Sequence, residues 1–168
     1  VAFTGGGTTE PLEAQTLTGA TSGATAVIGR VIVTSGTWAG GDAVGRLILT
    51  AQTGTFVSEN LNIGVSLNVL TVAGDSAAIA LSPGGSYRFI VTNFTADQAT
   101  RRVYGVDGVN KGFEFDGTVF VQINTGMATD APDDLCEFVG HLCFAFNGSF
   151  QNSSMGDPYT WVPVLGAS

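Results

Sequence analysis

Residues 102–123 read RVYGVDGVNKGFEFDGTVFVQI, three strand-forming runs separated by two turn signals. Arg102 to Val106 reads as the first strand, Asp107-Gly108-Val109-Asn110 as a turn and Phe113 to Phe115 as the second strand. Asp116-Gly117 is the next turn, and Thr118 to Ile123 the third strand. Asp-Gly is a strong hairpin signal because Gly takes positive φ freely and Asp tolerates it, which gives turns that match strand twist. A meander of this size cannot enclose a core by itself and must pack against, or be repeated beside, further sheet. The stretch therefore predicts a building block of a larger β assembly.

The same grammar extends in both directions. Downstream, Leu135 to Phe138 and His141 to Phe146 form a predicted hairpin, and Asn147-Gly148 turns into Ser149-Phe150-Gln151. Upstream, Tyr87 to Phe94 reads as a strand, and Thr95 to Thr100 as a polar turn. Short strands joined by Asx-Gly turns are how propeller blades read, so residues 86–168 are expected to form a β-propeller-blade-like antiparallel meander. At ~40–45 residues per blade, that module holds at most about two.

Ser82-Pro83-Gly84-Gly85 is a clear break. Before it, residues 15–81 show strand signals every 8–12 residues, among them Thr25 to Thr34, Gly45 to Thr50, Thr55 to Val57, Glu59 to Ile63 and Val65 to Val72. That spacing suggests a small β-sandwich or barrel-like module. Residues 1–14, with Gly5-Gly6-Gly7 and Pro11, read as a flexible N-terminal arm. Gly5 to Thr9 and the aromatic tail at 159–165 are the expected segments for reaching a neighbour.

Composition points the same way. Gly accounts for 24 of 168 residues, scattered among Val, Ile, Thr and Phe runs, which signals an all-β chain with many turns. Only 12% of residues are charged while 44% are hydrophobic, against roughly 25% charged in ordinary globular chains. So much apolar surface and so little charge fits a subunit covered by neighbours. The net charge of −8 argues against nucleic acid, which needs a basic stripe. Four of the six basic residues, Arg88, Arg101, Arg102 and Lys111, cluster, with Asp130, Asp133, Asp134 and Glu137 as candidate ion-pair partners. Neither a membrane-spanning apolar run nor a secretion signal is apparent. The chain opens on Val1 and closes at Ser168 just after an aromatic segment, so a longer parent protein is expected.

Candidate chemistry is sparse. His141 is the sole histidine and lacks a nucleophile at readable spacing. Glu114 and Asp116 fall on one strand face at a separation that glycoside hydrolysis could use, but a solvated strand end explains them equally. Cys136 and Cys143 sit opposite each other if Val139-Gly140 is a two-residue turn; a disulfide or two packed thiols both satisfy that spacing. Two cysteines and one histidine are too few for zinc. No catalytic residue, cofactor site or metal site is assigned. The aromatics Trp38, Tyr159 and Trp161 lie in turn or tail contexts, which makes them candidates for a subunit interface or for stacking on sugars; core packing is the alternative.

Two stretches resemble virion proteins of tailed bacteriophages. Thr18 to Ala26, continuing through Gly36-Thr37-Trp38-Ala39-Gly40-Gly41-Asp42 to Thr53-Gly54-Thr55-Phe56, is similar to a Gly/Thr-rich β module of phage tail and fibre proteins. Val103 to Asn110, Phe113 to Gly117, His141 to Phe144 and Asp157-Pro158-Tyr159-Thr160-Trp161 resemble propeller-bearing tail proteins of the nozzle or hub kind. Such proteins are much longer than this chain. The resemblance implies a non-enzymatic structural protein of the virion tail, whose partners are other virion proteins and copies of itself. Its alternatives are a carbohydrate-binding receptor module of a tail fibre, with a host surface glycan as ligand, and a capsid decoration protein.

Overall fold

The computed structural model describes residues 1–94 and 100–162. Every regular element bounded within them is a β-strand, and no α-helix occurs among the described residues. The chain divides into two compact units, Val1–Ile79 and Ala80–Ser168.

The first unit is a closed six-stranded antiparallel barrel. Its strands are β1 (Ala2–Thr4), β2 (Thr16–Gly19), β3 (Thr25–Ser35), β4 (Val44–Thr53), β5 (Asn60–Ile63) and β6 (Ser66–Val72), in the spatial order β1-β4-β3-β2-β5-β6. Alternation along β3 sends Ala26 and Ile28 inward, and Leu47 answers from β4. With Leu17, Phe56, Leu61, Leu70 and Val72 they fill the interior. Each large side chain buried this way is worth roughly 1.5–3 kcal/mol.

Closure depends on the shortest strand. Phe3 of β1 is opposite Gly45 of β4 on one side and Val72 of β6 on the other, and its ring is fully buried. Residues 1–14 are therefore not a free arm, because Ala2–Thr4 complete the barrel. The Gly5 to Thr9 stretch is likewise tied down: Gly6 N–H donates to the Ala43 carbonyl at 2.9 Å and Gly7 N–H to the Val69 carbonyl at 2.8 Å. A Cβ at Gly6 would press into the Trp38 ring, so that close approach requires glycine. Thr55 to Val57 and Ala77 to Leu81 are not strands. Phe56 instead lodges in the core as a loop residue, its N–H 3.3 Å from Ser76 Oγ.

One carboxylate organises the end of the barrel near β2. Glu59, almost completely buried, accepts from the backbone of Thr21 (2.6 Å) and Ser22 (2.9 Å), from Ser22 Oγ (2.5 Å) and from the Val57 backbone (3.3 Å). Burial opposes its ionisation, but the donors from Ser22, Thr21 and Val57 outweigh that and hold its pKa at about 2.

The second unit holds two four-stranded antiparallel sheets, each a simple meander. The first comprises β7 (Arg88–Thr92), β8 (Arg102–Val106), β9 (Phe113–Phe115) and β10 (Phe120–Gln122), in the order β10-β9-β8-β7. The second comprises β11 (Asp134–Phe138), β12 (His141–Phe146), β13 (Ser149–Ser154) and β14 (Asp157–Trp161), again in chain order. They share a core of Tyr104, Val106, Ile123, Leu135, Leu142, Phe144 and Phe146. The 159–165 tail becomes β14 as far as Trp161, and residues 163–165 lie outside the described residues. Most of the Thr95 to Thr100 turn does too.

The turns follow the sequence signals. Asp107 Oδ1 accepts the N–H groups of Val109 (2.9 Å) and Asn110 (2.7 Å), and Asn110 bridges to both backbone groups of Ser82 at 2.7 and 2.8 Å. Asp107 is buried, which resists its charge, yet the Asn110 and Val109 donors bring its pKa below the ordinary value. Asp116 Oδ1 likewise receives Thr118 N–H at 2.8 Å and Val119 N–H at 2.7 Å.

Candidate functional site

In an antiparallel ladder, residues directly opposite share a face. Registers across β7–β10 put Ile90, Tyr104, Glu114 and Val121 in one row, and Tyr104 belongs to the shared core, so this row faces inward. The neighbouring rows face outward: Phe89, Gly105, Phe113 and Gln122, then Val91, Val103, Phe115 and Phe120. A sheet with one solvated side ordinarily alternates apolar inward with polar outward. Here the outward rows are apolar almost throughout.

The rings on that face form one connected group. Phe113 stacks on Phe120 with centroids 4.7 Å apart, Phe89 meets Phe113 edge-on at 6.1 Å, and Tyr87 lies parallel to Phe89 at 5.7 Å. Gly105 makes this packing attainable, because a Cβ there would collide with the Phe113 ring and crowd Phe89. The group nonetheless stays open to solvent: Tyr87 is 50% exposed, Phe89 57% and Val91 59%. Isolated exposed hydrophobics are ordinary, whereas a contiguous aromatic patch marks a contact surface.

An open cleft of about 560 Å³ adjoins the face at Gln122. Its polar wall is Asn110, Lys111, Asn124 and Asp130, with Met127 among the apolar groups. Lys111 Nζ donates to Asn124 Oδ1 at 2.7 Å and stands 3.9 Å from Asp130, so the one ammonium in the wall is already engaged. Asp130 is held in turn by Thr125, through the hydroxyl at 2.6 Å and the N–H at 3.1 Å.

The residues singled out in the sequence lie elsewhere. Trp38 is buried in the first unit, stacked on Phe3 at 5.3 Å. Trp161 stacks on Phe144 at 4.8 Å and donates its indole N–H to the Pro158 carbonyl at 2.8 Å. Tyr159 packs with it against the second unit's core. All three serve packing, and none lies in the outward rows.

The carboxylates considered for catalysis are also occupied. Glu114 is buried, accepts the Tyr104 hydroxyl at 3.0 Å and lies 3.8 Å from Arg102 Nε. Asp116 sits in the β9–β10 turn, where its Oδ1 accepts the backbone N–H groups of Thr118 and Val119. His141 Nδ1 contacts the Ser153 carbonyl at 2.6 Å. No cluster of His, Cys, Asp and Glu able to hold a metal ion occurs among the described residues. Cys136 and Cys143 are register partners on β11 and β12 and both are free thiols. Burial first, then the neighbouring Cys136 and Glu137, push the Cys143 thiol up to about 11.

The aromatic face left a signal in the sequence. Phe89-Ile90-Val91 is apolar without alternation, which is how a strand covered on both sides reads. Comparison with known proteins returned no matching family model, no matching curated protein and no matching solved structure.

Proposed function

We propose that this chain is a non-enzymatic structural component of a bacteriophage virion, belongs to the tail, and works by locking onto neighbouring subunits. The observation that carries the reading is the outward face of the β7–β10 sheet, whose rows are apolar almost throughout and open to solvent at Phe89 and Val91, as a surface that meets a neighbour is. The two successive four-stranded meanders are consistent with blades of a propeller-like assembly, in which each sheet is covered on both sides. The low charge content supports the same view.

The test is quantitative mass spectrometry of purified tailed particles from a lysate encoding this sequence. Peptides from both units are expected at a fixed copy number per particle. Their absence from intact particles would overturn the proposal.

A second reading, a carbohydrate-binding receptor module, rests on the open cleft, whose Gln122, Asn124 and Asn110 amides suit sugar hydroxyls. A glycan array separates it from the first, since a purely structural component gives no saturable signal. A decoration protein would share the chemistry of the tail component and differ only in its position on the particle.

A further inference from the structure

We infer that the outward face of the β7–β10 sheet is a self-association surface, on which the same sheet of a second copy packs face to face across a two-fold axis. This rests on the structural-component reading and adds to it the face and the partner.

The chemistry of the face selects the partner. Among its described residues none carries charge at neutral pH, and the polar groups are limited to the Tyr87 hydroxyl and the Gln122 amide. A sugar, a nucleic acid or a charged peptide would lose hydration there without gaining hydrogen bonds. An apolar sheet face loses nothing. Charge also restricts where two copies can meet, because the chain carries a net −8 and most encounters would oppose like charges. A neutral, ring-covered patch avoids that penalty and is self-complementary, as a two-fold contact requires.

Size agrees. Tyr87, Phe89 and Val91 are each at least half exposed, and Val103, Phe115 and Phe120 are partly so. Taking ~150–250 Å² for an aromatic side chain, the exposed apolar part is on the order of 450 Å². Counted on both copies it comes to ~900 Å², in the range of weak, transient association. Two such faces would pack at the ~10 Å separation of stacked sheets.

The test is sedimentation equilibrium of the whole chain over a concentration series, with Phe89→Glu and Val91→Lys as separate variants. Both positions are over half exposed, so circular dichroism should match the parent. The parent is expected to form a dimer of the 17.2 kDa chain. At this interface size its dissociation constant should lie in the micromolar range (~1–100 µM), and either variant should weaken it at least tenfold. A parent that stays monomeric throughout, including one whose face is covered by its own chain, overturns the inference. So does a dimer that survives both variants. A monomer leaves the structural-component reading standing, because that reading fails only if the protein is missing from particles.

Discussion

Val139 occupies a position its chemistry resists. It has φ 50° and the following Gly140 has φ 76°, so the β11–β12 hairpin turns with a β-branched residue in the left-handed region. Its side chain is 63% exposed and gains little from packing. Val139→Asn should therefore stabilise the second unit by about 1 kcal/mol, read as a rise in urea midpoint without a change in slope. Glu59 is the opposite case, since its surroundings favour the charge it bears. Its folded pKa of about 2 lies below the ordinary value of 4.5, so its stabilising contribution is complete above that value and is lost as the pH falls towards 2. Denaturation midpoints between pH 5 and pH 2 should fall for the parent, and Glu59→Gln should flatten the part of the decline that belongs to the barrel. Val139-Gly140 is readable as the turn that sets Cys136 opposite Cys143, whereas the surroundings of Glu59 are not. Glu59 is recognisable as an anchor only once the turn at Thr21-Ser22 has been folded against it. Trp38 shows the same limit, because an aromatic in a glycine-rich loop reads alike whether its ring points out or stacks on Phe3.

Strands were legible where local turn chemistry fixed their ends. Arg102–Val106, Phe113–Phe115 and His141–Phe146 fall where the Asp-Gly and Asn-Gly signals place them. β1 escaped because three residues before a glycine run carry no periodicity; only pairing with β4 and β6 makes Ala2–Thr4 a strand. The outward aromatic rows were visible only as an unbroken apolar run, since register is needed to show that Phe89, Gly105 and Phe113 share a face. Close approach between strands gives a direct test. Gly45 lies in β4 between β1 and β3, and a Cβ there would strike the Ile32 backbone carbonyl, which no rotamer change can relieve. Gly45→Ala should cost about 3 kcal/mol, measured as a lower denaturation midpoint for the barrel. A cost under about 0.5 kcal/mol would show that β3 and β4 can separate locally.

Among the described residues there are two cores, one in each unit: Phe3 through Val72 in one, Tyr104 through Phe146 in the other. Leu47 and Leu142 are fully buried, one in each. Replacing either with alanine should cost ~2–5 kcal/mol in its own unit. In hydrogen exchange, Leu47→Ala should speed the β3 and β4 amides and leave β12 unchanged, with Leu142→Ala doing the converse. Acceleration of both units by either variant would mean that they unfold as one. Ser82-Pro83-Gly84-Gly85 lies beside the division near residue 80, and the strand spacing before it leaves a sandwich and a barrel open; only closure, which joins residues distant in sequence, decides for the barrel. That closure has a consequence in time. β1 is synthesised ahead of the rest of its barrel, yet its partners are Gly45 and Arg46 of β4 and Thr71 and Val72 of β6. At roughly 5–20 residues per second, Phe3 must wait several seconds on the ribosome before its second neighbour exists. The barrel's earliest strand is thus the last to be enclosed, because β4 offers it one edge long before β6 supplies the other.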